Sequence, residues 1–311
     1  MVVHCAPVPP SLRKSVRLVP EVAQALAERR PVVALESSVL AQGLPIPANR
    51  DAARLMDAAV RSQGAIPGIT AVVRGTPTIG LEPDELERFL KRDGVRKVSA
   101  RDIPIAVASK VDGATTVAAS IALAALGGVS VFSTGGIGGV HRGAPLDESA
   151  DLLELSRTSV ICVCAGAKSI LDLPATWERL ETLGIPVVGY RTEELPGFFS
   201  ASTGIKLTAT AQSAREIADM FQAHVALGRQ QALLVVNPPP AEHALDRSVV
   251  DGAVRQALTE ASRAGIHGAA LTPFLLESVV KSTGGSSLPA NLALLESNAR
   301  VAAEVAAAMS T

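Results

Sequence analysis

The chain has 311 residues, with 29 Lys+Arg against 30 Asp+Glu and a formal net charge of -1. That balance argues against a general nucleic-acid binder, which needs a basic field to neutralise phosphates. One Trp, one Tyr and six Phe leave little material for base-stacking platforms. The length suits one large domain or two ordinary ones. Charged residues make up 19%, below the usual ~25%, which suggests surface hidden in subunit contacts.

Met1–Pro20 carries Arg13, Lys14 and Arg17 without a continuous apolar stretch, so no secretory leader is expected. Residues 1–21 read as an extension ahead of one domain at 22–311. Val32–Leu35 predicts a buried strand. Asn49–Gln63 predicts a helix, with Ala52, Leu55, Met56 and Ala59 at helical spacing. Ile69–Val73 reads as a strand that Thr76–Gly80 can pair with through a turn. Glu82-Pro83-Asp84-Glu85 starts a helix, with Pro in the first turn and acids near its positive end. Ile103–Ala108 predicts a strand and Thr115–Leu126 a helix. Val129–Phe132 reads as a strand, Ser149–Leu155 as a short helix, Val160–Cys164 as a strand and Ser169–Leu183 as a helix. Ile185–Tyr190 is a strand followed by a Gly- and Ser-rich loop. Ala211–Leu227 is a helix, Ala232–Val236 a strand and Val249–Ala264 a helix. Helices at about Pro273–Ser282 and Pro289–Ala308 close the chain.

Strands bounded by helices at this rate imply an α/β fold: a mostly parallel central sheet with helices on both faces. The longest apolar run, Val117–Phe132, is broken by Ser120 and Gly127-Gly128, and falls short of the ~20 residues that span a bilayer. A cytoplasmic protein with no membrane partner is expected. Cys5, Cys162 and Cys164 are too few for a disulfide framework, and Cys162 and Cys164 on one strand face read as packing.

In open α/β sheets ligands bind beyond the carboxyl ends of the strands. Five predicted strands end in chemistry-bearing segments. They are Glu36-Ser37-Ser38; Ser109-Lys110 with Gly113–Thr116; the glycine run within Ser133–Gly143; Ala165–Ser169 with Lys168; and Asn237-Pro238. One edge therefore gathers an acid, lysines, hydroxyls and backbone amides into a common cleft. The glycine run is neither a dinucleotide fingerprint, since His141 stands at the third glycine position, nor a Walker loop. It reads as a ligand loop in preference to a purely structural turn.

Lys168 opens a predicted helix, whose positive end would lower the lysine pKa as a Schiff-base nucleophile requires. The plainer reading is an exposed helix lysine. Glu36 follows a buried run and suits proton transfer, or forms a buried structural pair. Asp147-Glu148-Ser149-Ala150-Asp151 reads first as a helix cap and second as a hard-cation site. His141 and Arg142 either hold an anionic group or are solvated loop residues.

The chain resembles the pseudouridine-5′-phosphate glycosidase, or indigoidine synthase A-like, family. The resemblance is carried by Ala34–Ser38 with Gly43-Leu44-Pro45, Lys97–Asp102, Gly113–Ala118, Thr134–Gly143, Ser149–Leu152, Cys164–Asp172 and Thr272–Leu276, in order over about 22–308. It implies reversible cleavage of the C–C glycosidic bond of pseudouridine 5′-phosphate to uracil and ribose 5-phosphate, a divalent metal, usually Mn²⁺, and a homotrimer. It implies Lys168 as the nucleophile that forms an imine with the opened ribose, and Glu36 as proton donor to the departing base. Asp147 would hold the metal, mostly through water. Lys97, Val117, Ser149, Ala150, Asp151 and Asn291 would bind substrate.

The chemistry agrees with this set. A C–C glycoside has a poor leaving group, so two carboxylates flanking an acetal would not suffice. An imine at C1′ supplies an electron sink, and an acid aimed at the base carbon completes the departure. The phosphate contributes remote binding energy, with Lys97, Thr115, Thr116, His141 and Arg142 as its partners. With so few aromatics, uracil is expected to rest on hydrogen bonds and aliphatic contacts more than on stacking. The alternatives are a sugar or nucleoside kinase, for which no Walker loop is visible, and a non-catalytic binding protein of the same fold, which loss of Lys168 or Glu36 would favour.

Overall fold

The computed structural model describes residues 15–266 and 271–310, apart from the side chains of 144–146, 271–273 and 276. The first fourteen residues of the expected extension, and the side chains of Thr272, Pro273 and Leu276 in the C-terminal motif, lie outside the described residues.

Arg17–Leu18 (β1) leads into Pro20–Ala27 (α1), Val32–Leu35 (β2), Ala48–Ser62 (α2), Ile66–Val73 (β3), Thr76–Ile79 (β4) and Pro83–Lys91 (α3). Arg96–Val98 (β5), Ile103–Ala108 (α4), Gly113–Thr115 (β6), Val117–Gly127 (α5) and Val131–Ser133 (β7) follow. A small hairpin, Val140–His141 (β8) with Ala144–Glu148 (β9), precedes Ala150–Leu155 (α6) and Ile161–Cys164 (β10). The remainder is Leu173–Thr182 (α7), Val187–Tyr190 (β11), Thr210–Ala211 (β12), Ala214–Ala226 (α8), Leu233–Val236 (β13), Arg247–Arg263 (α9), Leu271–Ser282 (α10) and Ser287–Ser310 (α11).

The main sheet runs β1-β4-β3-β2-β7-β10-β13-β11-β12, with β6 pairing β3 and β5. From β3 to β12 all neighbours are parallel; the antiparallel contacts are β3 with β4 and β3 with β6. The central strands β2, β10 and β13 read VVAL, ICVC and LLVV and are buried throughout. Strands covered on both faces need continuous apolar runs, not alternation, and these sequences supply them. Cys162 and Cys164 are core residues, as expected. Helix α11 packs on β2, β7 and β10 and against α2 and α8, while α5 packs on β2, β3 and β7 beside α6. No helix among the described residues is long and apolar enough to cross a membrane.

Two expectations are corrected. Ile103–Ala108 is a helix, not a strand. A 3-10 turn at Ala100–Asp102, closed by a capping box between Ser99 and Asp102, leads into it, Pro104 stands in its first turn, and tertiary pairing gives the strand role to Gly113–Thr115 instead. Lys110 therefore follows no strand. The helix after β10 begins at Leu173, not Ser169, because Asp172 caps it by accepting from Ala175 N at 3.0 Å. Lys168 thus stands in a loop and not at a helix terminus.

Candidate active site

Strands β2, β7, β10 and β13 reach one edge together: Leu35 and Val163 both register with Ser133, and Cys164 with Val236. Glu36 leaves β2 and is 5% exposed. One of its carboxylate oxygens accepts from Ser38 Oγ and the other from Thr134 Oγ1 at 2.5 Å. Thr134 leaves β7, so two strand ends hold the acid between two hydroxyls.

The glycine loop after β7 runs alongside the loop after β10. Ile137 N donates to Gly166 O at 3.1 Å, and Lys168 N donates to Ile137 O at 3.0 Å. This backbone ladder fixes Lys168. The glycines are needed for close approach: a Cβ on Gly136 would lie 2.5 Å from Phe198 Cδ2, and one on Gly138 would lie 2.3 Å from Ser149 Oγ.

Two cavities meet here. Glu36, Ser38, Lys97 and Lys168 line both. The first is completed by Gln42, Gly135, Gly136, Phe198 and Asn291. The second is completed by Thr116, Val117, Gly138, His141, Ser149 and Asp151, with Ala150 beside them. Lys97 projects from β5, is exposed, and lines both cavities. Crowding by protein lowers its pKa first and the nearby Lys168 charge second, against the opposite pull of Glu36 and Asp151.

Asp151 is almost fully buried. Its two oxygens accept from Ala118 N at 2.9 Å and Gly138 N at 2.8 Å, which ties the start of α5 to the glycine loop. Ser149 caps α6. Thr116 Oγ1 is buried without a protein partner among the described residues, in the wall of the second cavity. Thr115 is placed differently. Its hydroxyl joins Ser37, Thr70 and Ser120 in a core network at 2.9 to 3.1 Å, and the residue lines neither cavity. Arg142 is exposed and reaches Ser169 O at 3.4 Å, also outside both linings.

Asp147 sits beyond the second cavity with its side chain 52% exposed, and His141 Nδ1 lies 3.4 Å from its carboxylate. Among the described residues no group of three or more His, Cys, Asp or Glu is arranged to hold a metal. Arg179 engages Glu148 at 2.7 and 2.9 Å, and backbone amides occupy Asp151, so Asp147 is the acid of this cluster left for a cation. One carboxylate fits a hydrated divalent ion completed by substrate phosphate oxygens, not a protein cage.

Sequence reasoning missed Ser38, Gln42 and Phe198. Ser38 was visible beside Glu36. Phe198 carried a weak signal, an aromatic pair inside a polar loop, and the structure holds it at φ 67 against the glycine loop. An aromatic ring therefore borders the first cavity.

Comparison with known proteins places the chain in a family. Residues 21–308 match the family model for indigoidine synthase A-like proteins. A pseudouridine-5′-phosphate glycosidase from Gemmatimonas aurantiaca is 65% identical, covering 92% of this chain and 94% of its own. One from Herpetosiphon aurantiacus is 52% identical, covering 94% and 97%. A prealnumycin C-glycosynthase solved with ribulose 5-phosphate superposes with a TM-score of 0.88 at 40% identity, covering 95% of this chain and 97% of the other. With a match along nearly its whole length and relatives more than half identical, this chain belongs to the indigoidine synthase A-like family.

Proposed function

We propose that the chain, through one catalytic domain at 22–311, reversibly cleaves the C–C glycosidic bond of pseudouridine 5′-phosphate to uracil and ribose 5-phosphate. The observation that carries this reading is the convergence of Glu36, Lys97 and Lys168 where the two cavities meet. The first cavity, with the amides of Gln42 and Asn291 and the ring of Phe198, suits a planar base that carries both donors and acceptors. The second, with Thr116, His141 and Ser149 and with Lys97 between the two, suits the sugar phosphate. Thr115 acts from behind this wall, and Arg142 from outside it.

In cleavage, the Lys168 amine attacks C1′ as the C1′–O4′ bond breaks and opens the ribose, O4′ keeping that electron pair and taking the proton that the nitrogen gives up. Its lone pair then forms C1′=N as the C1′–base electron pair passes to the base, whose carbon takes the Glu36 proton. Water hydrolyses the imine and returns the amine and ribose 5-phosphate. Ser38 and Thr134 aim the Glu36 carboxyl across the cavity junction. When bound, a divalent cation such as Mn²⁺ would neutralise phosphate charge, with Asp147 as its holder. The enzyme works in the cytoplasm as a homotrimer in this reading.

Borohydride reduction of the protein with ribose 5-phosphate should trap an adduct on Lys168 that mass spectrometry locates. No adduct, or one on another lysine, removes the imine route. Uracil release from pseudouridine 5′-phosphate, with and without Mn²⁺, tests the activity itself.

A further inference from the structure

Helix α11 reaches the site twice. Asn291 lines the first cavity, and Asn298, two turns later on the same face, is 1% exposed beneath it. Asn298 Nδ2 donates to Thr134 O at 2.9 Å and to Gly135 O at 3.3 Å. Its own Oδ1 accepts from Asn237 Nδ2 at 3.0 Å, at the end of β13, and Asn237 also donates to Ser297 Oγ at 3.0 Å. Thr134 is the residue whose hydroxyl bonds Glu36. A chain of hydrogen bonds therefore runs from β13 through α11 to the turn after β7, and from that turn to the acid.

We propose that Asn298 is a positioning residue for the reaction: by holding the Thr134-Gly135 turn from below, it keeps the Thr134 hydroxyl on Glu36 and so sets the direction in which the carboxyl can deliver its proton. This rests on the proposed role of Glu36. A strand end followed by a glycine run has few local restraints, because glycine leaves the backbone torsions free. Thr134 N is already tied to Val163 O, and Gly135 O also accepts from Ala165 N, so the turn is anchored to β10 on one side. The Thr134 carbonyl has Asn298 as its partner. Without it, the peptide after Thr134 is free to rotate and the hydroxyl loses its aim. Lys97 and Lys168 are the charged groups that share the cavity junction with Glu36, with Asp151 and His141 in the second cavity.

Asn298→Ala, Thr134→Val and the double variant form a cycle. Each single change should lower kcat for uracil release at least about tenfold, since general acid catalysis contributes ~10²–10⁴. KM should stay within about twofold, and the double variant should be no slower than the slower single one, because the two residues act as a unit. Multiplying losses, a change confined to KM, or a lowered melting temperature with kcat intact would overturn the proposal. A second measurement needs no turnover. The ¹³C carboxyl signal of Glu36, assigned with Glu36→Gln, should move in Asn298→Ala as it does in Thr134→Val at the same pH, because both changes take the hydroxyl off the carboxyl group. A signal that moves in Thr134→Val but not in Asn298→Ala also overturns it. If the parent chain releases no uracil, the functional reading fails by itself, and the carboxyl signal still decides the role of Asn298.

Discussion

Carbon is a slow proton acceptor, so the donor must be held in place before the bond breaks. Glu36 is held by two hydroxyls from two strand ends, and its neighbours in the cavity are lysines. Glu36→Gln keeps the shape and removes the proton; turnover should fall ~10²-fold or more in a uracil-release assay. A variant with full turnover would remove the role. Lys97 adds a pH dependence. Its pKa lies below the ordinary 10.5, so on raising the pH the folded chain gives up this proton before the unfolded chain does. Stability gained from Lys97 therefore rises with pH between its folded value and 10.5, while attraction for a phosphate is lost through the same range. Calorimetric titration with ribose 5-phosphate should show affinity falling on the alkaline side, and Lys97→Met should flatten that limb. A persisting limb would assign it to another group. At this scale the sequence was informative about residue types. Glu36, Lys97 and Lys168 could be named from motifs, but whether Thr115 met the ligand or the core was a matter of rotamer and neighbours. Its hydroxyl sits among Ser37 and Thr70, both distant in sequence, and Ser120 in the helix that follows.

At the scale of elements, the glycine loop works because its neighbours fill the space that side chains would take. Gly136→Ala places a methyl 2.5 Å from the Phe198 ring and 2.9 Å from Gly166 O. Phe198 is buried and cannot retreat outward, so overpacking should cost about 1–3 kcal/mol in urea unfolding and weaken uracil inhibition. Unchanged uracil affinity would show that Phe198 does not border the base. The long apolar strands β2, β10 and β13 were legible because both faces are buried and the sequence has no reason to alternate. Ile103–Ala108 was not. Six residues rich in Ile, Val and Ala suit either state, and the arbiter was the cap at Ser99–Asp102 together with a better strand partner for β3 at Gly113–Thr115. The Lys168 helix was misplaced for a similar reason: backbone bonds with Ile137 hold Gly166 and Lys168 in a loop, and the helix starts only where Asp172 caps it.

For the whole molecule, a sparsely charged surface supports assembly, and the homotrimer proposal is checked by light scattering. The expected mass is that of three chains; a stable monomer at micromolar concentration would overturn it. Sequence by itself determined the parallel α/β architecture, the edge on which chemistry collects and the identities of the acid and the two lysines. These follow from apolar runs, turn residues and motif order, all of which are local. Only the tertiary structure decided that Asp151 clamps two backbone amides, that Thr115 faces the core, that Phe198 borders the first cavity and that α11 supports the turn beside Glu36. Each of those depends on contacts between residues far apart in the chain, where burial and hydrogen-bond partners, not residue type, decide what a side chain does.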